Sequence, residues 1–220
     1  MTEHDTKAQT RRGIRLTVTA CLVFMVILLI LLVNRLNTPR VMSADELRLN
    51  GAMVFDTPRR FDDFTLRNHK NEPFTRENLI GQWSLVFFGF THCPDICPTT
   101  MAELGRLYKS LPAEIAANTQ ILLVSLDPAR DTPEALAQYV GYFDASFTGV
   151  TGDFLSLRRF ANQVNVAFSK VTLGDDYTID HSSNLVLINP RGDYHGFFKP
   201  PFELAKLKAT YSSVRQSFAH

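Results

Sequence analysis

Leu16 to Val33 contains no charged residue and is apolar at nearly every position, with Val-Phe-Met-Val-Ile-Leu-Leu-Ile-Leu-Leu-Val at its centre. That is close to the ~20 residues a helix needs to cross a bilayer, so this stretch is expected to be one transmembrane helix. Lys7, Arg11, Arg12 and Arg15 precede it, whereas Arg35, Arg40 and Arg48 follow it more sparsely and among acids. The positive-inside tendency then puts the N-terminus in the cytoplasm and everything after Arg35 outside. The rival is a cleaved signal peptide, but the apolar run is long for one, and no small-x-small cleavage site follows it before Asn34-Arg35-Leu36-Asn37. Val18-Thr19-Ala20-Cys21 is not a lipoprotein signal either, because the hydrophobic stretch lies after Cys21. The expectation is a single-pass protein of a bacterial inner membrane or its equivalent, with a cytoplasmic tail over 1–15, an anchor over 16–34 and a periplasmic domain.

The remaining chain is long enough for one ordinary core. A formal net charge of +1 gives no basic excess of the kind nucleic-acid binding needs. Residues 35–60 are mixed and polar and hold Pro39 and Pro58, so they read as a tether, with the folded domain over 61–217. Phe64 to Thr75 looks like a small hairpin with a polar turn. Ser84–Phe90 and Gln120–Leu126 are continuous apolar runs of strand length, as expected for central strands buried on both faces. Met101, Leu104, Leu107, Tyr108 and Leu111 follow at helical spacing, with Pro98 suited to the first helical position. Thr132-Pro133 opens another helix with Asp131 or Thr132 as its cap, and Asp153 caps a further one. Asn184–Ile188 and Tyr194–Phe198 form a terminal hairpin, followed by an amphipathic helix from Pro201. Strands alternating with helices, then a hairpin, predict an α/β fold with at least one antiparallel edge.

Cys93 and Cys97 lie in Phe90-Thr91-His92-Cys93-Pro94-Asp95-Ile96-Cys97-Pro98, where the first central strand gives way to a helix. Ligand sites of such sheets lie at the carboxyl ends of the strands. With Pro98 first in the helix, Cys97 would be close to its cap, and the helix terminus would favour thiolate over thiol. Two thiols four apart can form a disulfide, shuttle electrons or hold a soft metal. A staple closing so short a loop removes little chain entropy. In an oxidising space, thiols that are to stay useful need a dedicated reductant.

Two thiolates make an incomplete metal site, so the histidines matter. His4 and His220 are terminal and His69 sits in a turn, so each is expected in solvent. His92 should point away from Cys93 and is left a minor role, and His195 is expected at the surface or in packing. His181 stands just before the strand at Asn184, in a loop that would face the cysteine loop in a thioredoxin-like arrangement.

Phe88-Gly89-Phe90-Thr91-His92-Cys93-Pro94-Asp95-Ile96-Cys97-Pro98, Ser125-Leu126-Asp127-Pro128-Ala129-Arg130-Asp131-Thr132-Pro133 and Asp176-Tyr177-Thr178-Ile179-Asp180-His181-Ser182 together resemble the Sco/SenC family of copper chaperones. The likeness runs from about Phe61 to the final helix, with the three blocks in the family's order. It implies a thioredoxin-like domain, a central mixed sheet flanked by helices, that binds one copper, Cu(I) or Cu(II), through Cys93, Cys97 and His181. It also implies delivery of copper to the dinuclear copper site of cytochrome c oxidase subunit II, or reduction of that subunit's cysteines. A copper donor and a thiol reductant would be further partners. Asp127 and Asp180 match family positions near the site, with turn and capping carboxylates as the plainer reading.

The chemistry agrees with the resemblance. Thiolate selects Cu(I), and imidazole makes the set acceptable to Cu(II). Three protein ligands leave a position through which a recipient can attack, whereas structural zinc takes four. The main alternative is an extracytoplasmic thiol-disulfide oxidoreductase, with Cys93 attacking and Cys97 resolving. Such enzymes resemble this chain less, since they carry Cys-x-x-Cys and a facing cis-proline. Peroxiredoxins place Thr three residues before the reactive Cys, where this chain has Phe90 and Pro94. A copper sensor or an assembly scaffold with a structural disulfide is the non-enzymatic alternative. The expectation is a carrier rather than an enzyme, with thiol reduction as a second activity.

Overall fold

In a computed structural model the chain is described over residues 3–37 and 41–218, with side chains placed at 14–33 and from 41 onward. It divides into two units, Met1–Val41 and Met42–His220.

The first unit is a single helix, α1 (Glu3–Asn37). Its segment Ile14–Val33 is long and apolar enough to cross a membrane, and none of it is buried in protein. Twenty residues at about 1.5 Å each match the roughly 30 Å hydrocarbon core. In water the exposed leucines, isoleucines and valines of this helix would be costly. A signal sequence would have the same look. Side chains of the expected cytoplasmic tail up to residue 13, His4 among them, lie outside the described residues, as do Pro39, Arg40 and His220.

The second unit begins earlier than the sequence suggests. The expected tether over 35–60 is in large part folded: Ala44–Leu49 is a helix, α2, and Ala52–Arg60 is a strand, β1. Ser43 and Glu46 form a reciprocal capping box at the start of α2, and Leu47 is buried. The Met42 amide donates to Ser213 Oγ at 2.7 Å. Strand β1 pairs antiparallel with the returning strand of the C-terminal hairpin, although its polar residues Asp56, Thr57, Arg59 and Arg60 resemble a linker. The close approach relies on a missing side chain, since a Cβ at Gly196 would stand 2.1 Å from the Met53 carbonyl oxygen.

The order continues with β2 (Leu66–Asn68), β3 (Pro73–Phe74), a 3-10 turn (Arg76–Leu79), β4 (Trp83–Gly89), α3 (Ile96–Ser110), α4 (Ala113–Ala117) and β5 (Thr119–Ser125). Then come α5 (Pro133–Phe143), β6 (Thr148–Thr151), α6 (Phe154–Gln163), β7 (Phe168–Leu173), β8 (Asp176–His181), β9 (Leu185–Ile188), β10 (Asp193–Phe198) and α7 (Leu204–Phe218). Eight strands form one sheet in the order β1-β10-β9-β4-β5-β6-β2-β3. Strands β4, β5 and β6 are parallel, and β9, β10 and β1 antiparallel, which is the expected mixed sheet. Every residue of β4 is buried, as expected of a central strand covered on both faces. Strands β7 and β8 form a second, two-stranded sheet of their own.

Helices α5 and α6 start where their caps predict, with Thr132 rather than Asp131 capping the first and Asp153 the second. Helix α3 begins at Ile96, two residues before Pro98. A proline in the first turn sacrifices no intrahelical bond, because those N–H groups have no partner within the helix.

Candidate metal centre

Three segments converge on the carboxyl end of β4. The first is the turn after Gly89, which carries Cys93; the second is the opening of α3, which buries Cys97 completely. The third is β8, which ends in His181. Residues 176–181 were expected as loop, but they are a strand, paired in register with β7 from Phe168 opposite His181 to Leu173 opposite Asp176. Alternation along β8 puts Tyr177, Ile179 and His181 on one face. Ile179 is buried and both neighbours are half-buried, so this face is turned toward the body of the domain.

The Nε2 of His181 stands 3.9 Å from Cys97 Sγ, and its Nδ1 lies 3.1 Å from the Ser182 carbonyl oxygen. A carbonyl can only accept, so Nδ1 carries the proton and the Nε2 lone pair is aimed at the sulfur. This is how a metal-binding imidazole is held by a neighbour on its other nitrogen. Phe87 and Phe90 flank the ring edge-on, with centroids 6.0 and 6.3 Å away. Across an ion with bonds of about 2.3 Å to sulfur and 2.0 Å to nitrogen, the two donors would sit roughly 3.6–3.8 Å apart. The Cys97–His181 pair nearly meets that separation.

Cys93 is half-buried, Cys97 is buried, and both are free thiols. Among the described residues no three His, Cys, Asp or Glu side chains are gathered closely enough to enclose an ion as they stand. Cys97 and His181 face each other, and Cys93 lines a groove of about 550 Å3 together with Phe90, Pro94, Ile96, Ile179 and His181. The sequence expectation for Cys97 needs a correction. Burial, and then the neighbouring Cys93 thiol, push its thiol well above the ordinary range, so the helix terminus does not make it a ready thiolate. A soft cation would have to displace that proton on binding.

The other histidines separate from the site. His92 is exposed, with Nδ1 3.0 Å from Thr91 Oγ1. His69 is not simply solvated: its Nδ1 accepts from the Gly149 amide at 3.0 Å, and burial lowers its pKa. His195 is buried edge-on between Trp83 and Phe218. Asp180 is exposed at the groove. Asp127 is buried, and it accepts from Tyr177 Oη at 2.9 Å and from Arg130 Nε.

Asp131 does more than end a turn. Its carboxylate accepts from the Thr91 amide at 3.0 Å, Thr91 Oγ1 at 2.6 Å and Ser125 Oγ at 2.6 Å. It therefore fixes the cysteine loop from beneath. Sequence reasoning missed this role, and the one available signal was a second acid in Asp127-Pro128-Ala129-Arg130-Asp131 beyond what helix capping requires.

The SCO1/SenC family model matches residues 56–215. The chain belongs to the SCO1/SenC family. A relative named "Putative copper-binding protein" from Stutzerimonas stutzeri is 38% identical over 163 residues, covering 74% of this chain and 80% of that one. The mitochondrial protein SCO2 of Saccharomyces cerevisiae is 36% identical over 154 residues, covering 69% of this chain and 50% of that protein. The chain thus spans about half the length of the yeast mitochondrial relatives it matches. The crystal structure of yeast Sco1 with copper bound superposes with a TM-score of 0.64 at 31% identity, covering 74% of this chain and 91% of that one. The fold is the thioredoxin-like α/β fold of Sco proteins, here with an apolar helix at the N-terminus.

Proposed function

We propose that the protein is a membrane-anchored copper carrier for cytochrome c oxidase assembly, and that Cys93, Cys97 and His181 hold one copper ion as cargo. The observation that carries this reading is the imidazole of His181, tautomerically fixed by Ser182 and facing Cys97 Sγ at 3.9 Å. Two thiolates and one imidazole suit both copper oxidation states and leave the ion open to a recipient's ligands. The copper named in relatives' descriptions supports the same reading.

Subunit II of the oxidase is the proposed recipient, and α1 anchors the chain with its N-terminus in the cytoplasm and the folded unit in the periplasm. A second reading is favoured by the two free thiols, four residues apart at the carboxyl end of β4. Cys93 and Cys97 would reduce a disulfide of the recipient, giving up two electrons and two protons and becoming a disulfide themselves.

The test is to titrate copper anaerobically into the reduced full chain in detergent, then mix it with the reduced copper-free domain of subunit II. One equivalent per chain is expected to bind and then to move, two carriers supplying the two ions of each recipient, read as copper co-eluting with the recipient. If the chain retains no copper through gel filtration, the carrier reading fails.

A further inference from the structure

The hairpin of β7 and β8 is weakly held for an element that supplies a ligand. It shares no backbone pairing with the eight-stranded sheet, every residue from Ser169 to Asp176 is exposed, and of its strand residues only Ile179 is buried. At its base the Ser182 amide donates to the Ala167 carbonyl at 3.0 Å. At its far end one side chain from the body gathers several contacts. Arg130, in the loop between β5 and α5, donates from Nε to Asp127 and from Nη1 to Asp176 Oδ1 at 3.2 Å. Its guanidinium carbon lies 3.8 Å from the centroid of the Tyr177 ring and 5.9 Å from that of Phe90. Lys170 Nζ is 3.5 Å from the Tyr177 centroid, and Tyr177 Oη donates to the same Asp127 at 2.9 Å.

We propose that Arg130 is a positioning residue, a latch that holds the β7–β8 hairpin against the body and so sets His181 in front of the cysteines. The contacts form a continuous path. From Tyr177, on the same face of β8 as His181, it passes through Asp127, whose amide donates to Ser125 Oγ at 3.0 Å. Ser125 Oγ donates to Asp131, and Asp131 holds Thr91, two residues before Cys93. The histidine strand and the cysteine loop are therefore tied to one buried polar network. A planar, permanently charged fork can bond two carboxylates and stack on a ring at once, which an ammonium cannot do. When the latch opens, the imidazole swings away with the hairpin while both thiols stay on the body. The copper consequence rests on the carrier reading; the holding of the hairpin does not.

The test uses the full chain in detergent as native protein, Arg130→Met, Arg130→Lys and Tyr177→Phe. In copper-free protein, amide hydrogen exchange across 168–181 is expected to be about 10-fold faster in Arg130→Met, intermediate in Arg130→Lys, and unchanged in β4 and β5. In copper-loaded protein, release to a chelator is expected to rise roughly 10-fold, with the imidazole contribution to the Cu(II) EPR spectrum lost. If Arg130→Met fails to fold, Tyr177→Phe, which removes one hydroxyl, is expected to show the same local pattern. Native exchange in the hairpin, or acceleration spread evenly through the domain, would overturn the latch. If the native chain binds no copper, the carrier reading falls and the exchange data still decide the latch.

Discussion

Gly89 governs the position of Cys97. A Cβ at residue 89 would lie 2.8 Å from Cys97 Sγ and 3.1 Å from Phe87 Cε1, so the sulfur occupies the space a side chain would need. Gly89→Ala is expected to push the thiol off its line to His181, destabilising the domain by about 1–3 kcal/mol and weakening copper binding. Thermal melts and copper titration of the variant check this, and native behaviour in both would mean that the sulfur has room to move. The sequence singles out Cys93, Cys97 and His181 because two are local to one motif and the third precedes a strand, and the structure brings Cys97 Sγ and His181 Nε2 to 3.9 Å. The contact between Arg130 and Tyr177 was not legible, because it joins residues 47 positions apart in two separate motif blocks.

Elements divide by how much of them is buried. Strands β4 and β5 read plainly as apolar runs, since both faces are covered. Strands β1, β7 and β8 did not, because β7 is almost wholly exposed, β1 and β8 are in large part half-buried, and each shows at most a weak alternation that tertiary pairing, not propensity, turns into a strand. The C-terminal hairpin was legible, yet the chemical state of His195 within β10 required the packing to be known. Burial first, and then Arg191, lower its pKa to about 4, with Asp193 opposing. The folded protein keeps this ring neutral while the unfolded chain takes up a proton near pH 6.5. Stability is therefore fully present above pH 6.5 and falls as pH drops toward 4, by on the order of 3 kcal/mol from this group alone. Denaturant titrations at pH 7.5 and 4.5 are expected to show a smaller loss for His195→Gln than for the native protein. An equal loss would assign the acid sensitivity to other groups.

At the scale of the whole molecule, a helix suited to lipid precedes a folded unit that begins at Met42, not at Phe61. The sequence-based boundary failed because β1 is a polar edge strand whose partner lies some 140 residues later, at Asp193–Phe198. A fragment starting near Arg48 would cut into α2 and lose buried Leu47, so the chain is best studied whole. Protease added to the outer face of intact membranes is expected to digest the domain, and full protection of the domain would reverse the proposed topology. The copper-carrier account depends most directly on His181 completing a site with Cys93 and Cys97. The decisive measurement is anaerobic copper loading of the native chain and His181→Ala, read by absorption and EPR. The account predicts thiolate-to-copper charge transfer in the native protein and an affinity lower by on the order of 100-fold in the variant, with its cysteines still able to form a disulfide. Identical spectra and affinity in the two proteins would contradict it.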